Sequence, residues 1–96
     1  MSQPATELRD NSAKHQYEIF SGDQLVGLAK YRVSGNTVNL YHTEVEDGHE
    51  GEGLGSQLAK HALDDVKAQG KQVIPSCPFI AAYIERHPEY QDLVQA

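Results

Sequence analysis

The sequence predicts an α+β sandwich of the α/β class with a mostly antiparallel sheet, in the order β-β-β-α-β-α, with an antiparallel meander that runs on into β-α-β-α. Three observations carry this reading. Three segments before residue 46 alternate apolar and polar residues with a period of two, and short turn sequences separate them. From Leu54 onward the apolar spacing switches to the three-and-four period of a helix. The punctuation agrees: Gly, Ser, Asn and Asp stand between the early segments, and Gly70 and Pro88 stand behind the helical ones.

Taken in order, residues 1–13 are polar, contain Pro4 and lack periodicity, so they are expected to form a flexible lead-in to one domain over 14–96. "HQYEIF" (15–20) reads as a half-buried strand and "SGDQ" as its turn. "LVGLAKYRV" (25–33) sets Leu25, Gly27, Ala29, Tyr31 and Val33 on one face and Lys30 and Arg32 on the other. "SGN" connects it tightly to "TVNLYHTEV" (37–45), which is rich in β-branched and aromatic residues. Leu54, Leu58, Ala59, Ala62, Leu63 and Val66 then form a helical stripe opposite Gln57, Lys60, Asp64 and Lys67, and Gly70 stops it. "KQVIPSC" (71–77) reads as a short strand with a proline near its end. Pro78 opens a second helix, "FIAAYIERH", which ends against Pro88, and "EYQDLVQA" adds a half-turn or short helix.

Composition narrows the function classes. A chain of 96 residues, 39% hydrophobic and 23% charged, suits one modest core. No apolar run approaches the roughly 20 residues of a membrane span, and the first residues have no apolar signal-peptide region. The single cysteine, Cys77, cannot build an internal disulfide framework, and a reducing cytoplasm is the expected compartment. The net charge of −6 lacks the basic footprint of a general nucleic-acid binder and is compatible with a cationic substrate such as an amine.

The stretch "HEGEGLGSQLAKHAL" (49–63) concentrates the chemistry. Glycines at 51, 53 and 55 lead from a strand end into the helix, where backbone can approach a ligand without a Cβ in the way. The first-turn N–H groups of a helix have no intrahelical partner, and the dipole favours an anion there. A pyrophosphate would satisfy both, although the same glycines also suit a ligand-free loop-to-helix turn. The stretch is not a P-loop, because no Gly-Lys-Ser/Thr follows, and not a dinucleotide fingerprint, because the preceding strands form a meander.

The order of a meander strand, "EGEGLGSQLAKHAL", a strand, and a helix with a tyrosine resembles the GNAT N-acetyltransferase superfamily. "HTEV", "ALDDVKAQG" and above all "CPFIAAYIERHPEY" resemble its small YjdJ-type branch, over roughly residues 14–94. The resemblance implies a minimal GNAT fold with the cofactor, acetyl-coenzyme A, at the splayed strand end. It also implies direct transfer of an acetyl group to an amine, with no acyl-enzyme. It implies that the backbone of Thr43, Glu44 and Val45 holds the pantetheine arm. The pyrophosphate would then lie over Glu50, Gly51, Glu52, Gly53, Leu54, Gly55 and Ser56. Glu50 stands where the family usually has Arg or Gln, a departure expected to weaken cofactor binding. Tyr83 falls by register where the family places the tyrosine that protonates the leaving thiolate; packing between helix and sheet is its other reading. Cys77 falls near the acetyl group, or is simply a small buried hydrophobe; no local Cys-His pair marks it as a nucleophile.

His42 and Glu44 are the candidate bases, sharing a face if the strand alternates regularly; a surface pair without a catalytic role is the other reading. His15, His49, His61 and His87 show no metal-ligand spacing, and His87 before Pro88 suits a helix C-terminus. Lys60 and Lys67 belong to a solvated face, where a lysine could also meet the 3′-phosphate of coenzyme A. Two other functions stay open: a coenzyme A-binding or acetyl-sensing module with little turnover, and an interaction protein with a vestigial cofactor site.

Overall fold

The computed structural model describes residues 6–46 and 53–95. Its elements are β1 (Thr6–Asn11), β2 (Gln16–Ser21), β3 (Gln24–Ser34), β4 (Thr37–Val45), α1 (Leu54–Ala68), β5 (Gln72–Ile74) and α2 (Pro78–Arg86). A 3-10 helix over Pro88–Leu93 follows. The five strands form one sheet in the order β1-β2-β3-β4-β5. Neighbours from β1 to β4 are antiparallel, and β5 lies parallel to β4. A parallel neighbour needs a crossover, and α1 supplies it.

α1 exists because its apolar positions recur on one stripe. Leu54, Leu58, Ala59, Ala62, Leu63 and Val66 are all buried. They pack against Tyr17, Ile19, Ala29, Tyr31, Val38 and Leu40 of the sheet in one core. α2 adds Ile80, Tyr83 and Ile84, and the 3-10 helix adds Tyr90. Two buried tyrosines reach polar partners at the edge of this layer. The Tyr17 hydroxyl donates to Asp65 Oδ2 at 2.7 Å and the Tyr31 hydroxyl to Asp10 Oδ1 at 2.6 Å, which avoids leaving a buried hydroxyl unpaired.

The structure departs from the sequence reading in four places. Thr6–Asn11, expected within the lead-in, is a strand paired with β2 from Thr6 opposite Ser21 to Asn11 opposite Gln16. It is an edge strand and stays largely exposed on both faces. Its pairing therefore rests on main-chain bonds, which leave no apolar alternation to read. The strand expected over 71–77 is only Gln72–Ile74, because Pro75 has no N–H to continue the ladder. The Cys77 amide then returns to β4, donating to the Leu40 carbonyl at 2.9 Å.

The other two departures are bulges. In β3, Ile19 pairs with Gly27 and Phe20 with Leu25, so Val26 is the extra residue and is itself buried, whereas Leu25 and Val33 are exposed. In β4, Tyr31 pairs with Leu40 and Lys30 with His42, which leaves Tyr41 unpaired. Regular alternation would have put His42 and Glu44 on the core side with Val38 and Leu40. The bulge reverses the sides instead: Thr43 and Val45 turn toward the helices, and Tyr41, His42 and Glu44 turn to the exposed face.

Candidate functional site

The end of β4 and the start of α1 meet where the glycine motif predicted a site. Gly53 is the N-cap of α1, with φ 72° and ψ 18°, a left-handed conformation that disfavours any residue with a Cβ. Its carbonyl accepts from the Gln57 amide at 3.0 Å and starts the helix. Among the described residues no side chain caps this end, and the first turn carries no acidic residue. The amides of Leu54, Gly55 and Ser56 thus have no partner within the helix. The Leu54 side chain is core, so only its backbone can serve a ligand. Glu50, Gly51 and Glu52 lie outside the described residues.

Val45, Gly53, Gly55, Ser56 and Phe79 enclose a cavity of 190 Å³ in front of this helix end. Phe79 was not among the residues the sequence singled out. It stands one residue off the buried stripe of α2, and its side chain is 36% exposed. A Cβ built on Gly55 would lie 2.8 Å from Phe79 Cζ, so the ring rests directly on the glycine. The only sequence signal for this was an aromatic residue off the apolar stripe. The glycine beneath it is 24 positions earlier in the chain.

On the helix side of β4, Cys77 Sγ donates to Thr43 Oγ1 at 3.4 Å, and Cys77 is 6% exposed. Together with the Cys77 amide on Leu40, this bond ties the start of α2 to β4 at its bulge. On the opposite side, His42 Nε2 and Glu44 Oε2 are 2.8 Å apart, with side chains 48% and 56% exposed. The two candidate bases therefore come together, but across the strand from Thr43 and Cys77. Glu44 also lines a second cavity of 180 Å³ with residues 25–28, Val45 and Glu46.

Tyr83 lies one turn after Phe79 in α2. Its ring stacks on the His87 imidazole at 4.0 Å and 17°, with the Tyr90 ring 6.1 Å away. Burial pushes its hydroxyl pKa above the usual tyrosine value; the nearby Lys60 ammonium opposes that, and Asp64 and Glu89 add to it. His87 caps the helix C-terminus, as its place before Pro88 suggested: its amide donates to the Ile84 carbonyl and its Nδ1 lies 2.9 Å from the Tyr83 carbonyl. Lys60 is committed to Asp64, with Nζ 2.8 Å from Oδ2, and Tyr90 donates to the other Asp64 oxygen at 2.7 Å. Lys67 is in the last turn of α1, roughly 20 Å along the helix from Gly53 at 1.5 Å per residue. No three His, Cys, Asp or Glu side chains among the described residues gather to hold a metal ion.

A bulged strand, a glycine turn into the crossover helix and a parallel strand after that helix make this a mixed α+β fold of the class the sequence predicted. Comparison with known proteins narrows this. A family model described as GCN5-related N-acetyl-transferase matches residues 16–93. Human Protein NATD1 is 38% identical over 66 residues, which cover 69% of this chain and 58% of that protein. Its counterpart in Xenopus tropicalis is equally similar over 60% of its length, so the chain spans about 60% of these relatives. A GCN5-like protein from Staphylococcus aureus, solved by NMR, superposes with a TM-score of 0.72 at 26% identity, over 100% of this chain and 92% of that one. The ribosomal-protein-S18-alanine N-acetyltransferase of Escherichia coli shares the fold, with a TM-score of 0.64 at 18% identity over 75% and 50% of the two chains. The chain belongs to the GCN5-related N-acetyltransferase family. No helix among its described residues is long and apolar enough to cross a membrane.

Proposed function

We propose that this chain binds acetyl-coenzyme A at the β4–α1 junction and transfers the acetyl group to an amine. The observation that carries the reading is the start of α1 behind left-handed Gly53, whose first-turn amides have no partner within the helix, opening onto the cavity walled by Val45 and Phe79. The amides of Leu54, Gly55 and Ser56 are suited to hold phosphate oxygens, and Ser56 adds a hydroxyl donor. The main chain of Thr43, Glu44 and Val45 is assigned to the pantetheine arm. Acetyl-coenzyme A supplies an activated acetyl group as a thioester.

The remaining chemistry belongs to the chain. Tyr83 carries its proton at Oη at neutral pH as any tyrosine does, burial only raising its pKa further, and it is assigned as the donor to a departing thiolate. Cys77, held by Thr43 and without a histidine partner among the described residues, is assigned to lining the acyl end rather than to attack. His42 and Glu44 could take a proton from an incoming ammonium on the open face of β4. Their exposure and their position across the strand from Cys77 favour the second reading, a coenzyme A-binding or acetyl-sensing module with little turnover. Both readings belong in the cytoplasm, where the lone thiol stays reduced.

Calorimetric titration with acetyl-coenzyme A tests the site, and no heat at millimolar ligand would reject both readings. Release of free thiol across a panel of amines and peptides then separates enzyme from sensor. For the enzyme, Tyr83→Phe lowers the rate about 10²-fold, within the usual range for a positioned acid, while ligand affinity stays within twofold.

A further inference from the structure

We propose that β1 pairs with β1 of a second copy of this chain, antiparallel and centred on Leu8, so that the two sheets continue into one. The two edges of the sheet differ. The β5 edge is closed by the C-terminal segment, where Val94 bridges to Val73 and the Gln95 amide donates to the Val73 carbonyl at 3.0 Å. β1 is paired only on its β2 side among the described residues. Its outer row of main-chain donors and acceptors is therefore available to another strand.

Charged side chains on an edge ordinarily discourage such pairing, and β1 reads Thr-Glu-Leu-Arg-Asp-Asn. Here the charges are arranged about Leu8. A two-fold axis perpendicular to the sheet keeps both helix layers on one side and allows only registers centred on a residue. Centring on Glu7 would face that carboxylate with its own copy, and centring on Arg9 would face two guanidinium groups. Centring on Leu8 sets Glu7 opposite the partner's Arg9 and Arg9 opposite the partner's Glu7. It also sets Thr6 opposite the partner's Asp10, twice over by symmetry. Cross-strand neighbours of opposite charge stabilise pairing and like charges oppose it, so one register is selected.

The side chains are already held at the edge. Arg9 Nε lies 3.0 Å from Glu7 Oε2, and its guanidinium lies 4.7 Å from the Phe20 ring centroid, on the open face. Leu8 points to the helix side, half-buried against the core. There it borders a groove of 200 Å³ lined by Gln57, Lys60, His61 and Asp64. The centred register brings the two Leu8 side chains together over the paired grooves. This surface is three strands from β4, so its test does not depend on the cofactor site.

Sedimentation equilibrium of the whole chain over a range reaching millimolar concentration is the test. The expected result is a reversible monomer–dimer equilibrium. Arg9→Glu or Glu7→Arg alone should weaken it at least tenfold. The double swap Glu7→Arg/Arg9→Glu should restore it, and an equimolar mixture of the two single variants should form heterodimers. Circular dichroism of each variant confirms folding, since both side chains are exposed. A wild-type chain that sediments as monomer throughout overturns the proposal. A dimer indifferent to Arg9→Glu, or one the double swap does not restore, also overturns it.

Discussion

Gly55→Ala sets two opposing contributions against each other at the mouth of the site. Alanine is a better helix former than glycine by about 1 kcal/mol in a helix interior, and by less in the first turn. Against that, the new methyl would lie 2.8 Å from Cζ of Phe79 and 3.2 Å from Cε2, and forced overpacking typically costs about 1–3 kcal/mol. The contacting atoms are the far end of a ring that is already 36% exposed, so the ring can swing and the cost falls at the low end. The two contributions then nearly cancel, and Gly55→Ala alone should change stability by less than about 0.5 kcal/mol. With Phe79→Ala the clash disappears while the helix gain stays. In that background Gly55→Ala should stabilise by about 0.5–1 kcal/mol. Urea melts of the four chains complete the cycle. Effects that add within about 0.3 kcal/mol would refute the contact between ring and glycine. In the chain that keeps Phe79, the displaced ring should also narrow the cavity and weaken coenzyme A binding about tenfold, a loss of about 1.4 kcal/mol.

Three further outcomes follow from the polar groups. Tyr17 is buried with its hydroxyl on Asp65, and burial first, then that carboxylate, hold its pKa far above the ordinary 10. The folded state therefore keeps a proton that the unfolded chain releases. Stability should fall by about 1.4 kcal/mol per pH unit for this residue above pH ~10, and Tyr17→Phe should reduce that slope in denaturation at pH 10–11.5. Burial pushes the Asp64 carboxyl up, but the bonds from Lys60 and Tyr90 outweigh it and leave its pKa lowered. Its contribution is present above the unfolded pKa of about 3.9 and is lost as pH falls through the folded value. Asp64→Asn should thus flatten the acid limb of a stability–pH curve, and an unchanged limb would reject this. His42→Ala should shift stability by less than about 1 kcal/mol, because its pair with Glu44 is exposed. If thiol release also survives that change, His42 is not the base.

Much of the site was legible in the order of the residues. Glycine between a strand and an amphipathic stripe is a local signal, and local sterics placed Gly53 in the left-handed region at the start of α1. The helical stripe, the meander and the two prolines bounding α2 were equally local, because period and capping act within a few residues. What the chain by itself did not settle depended on partners distant in sequence. β1 is a strand because β2 presents its edge, and a polar segment records nothing of that. The bulge at Tyr41 arises from the register between β3 and β4, yet it decides that Thr43 meets Cys77 while His42 and Glu44 face away. Phe79 reaches Gly55 only when two helices pack side by side. Sequence by itself determined where the left-handed turn into α1 falls, the place proposed here for an anion, through backbone conformation. Tertiary packing decided which side chains surround that place, because a single inserted residue in one strand exchanges every side chain beyond it between the two faces.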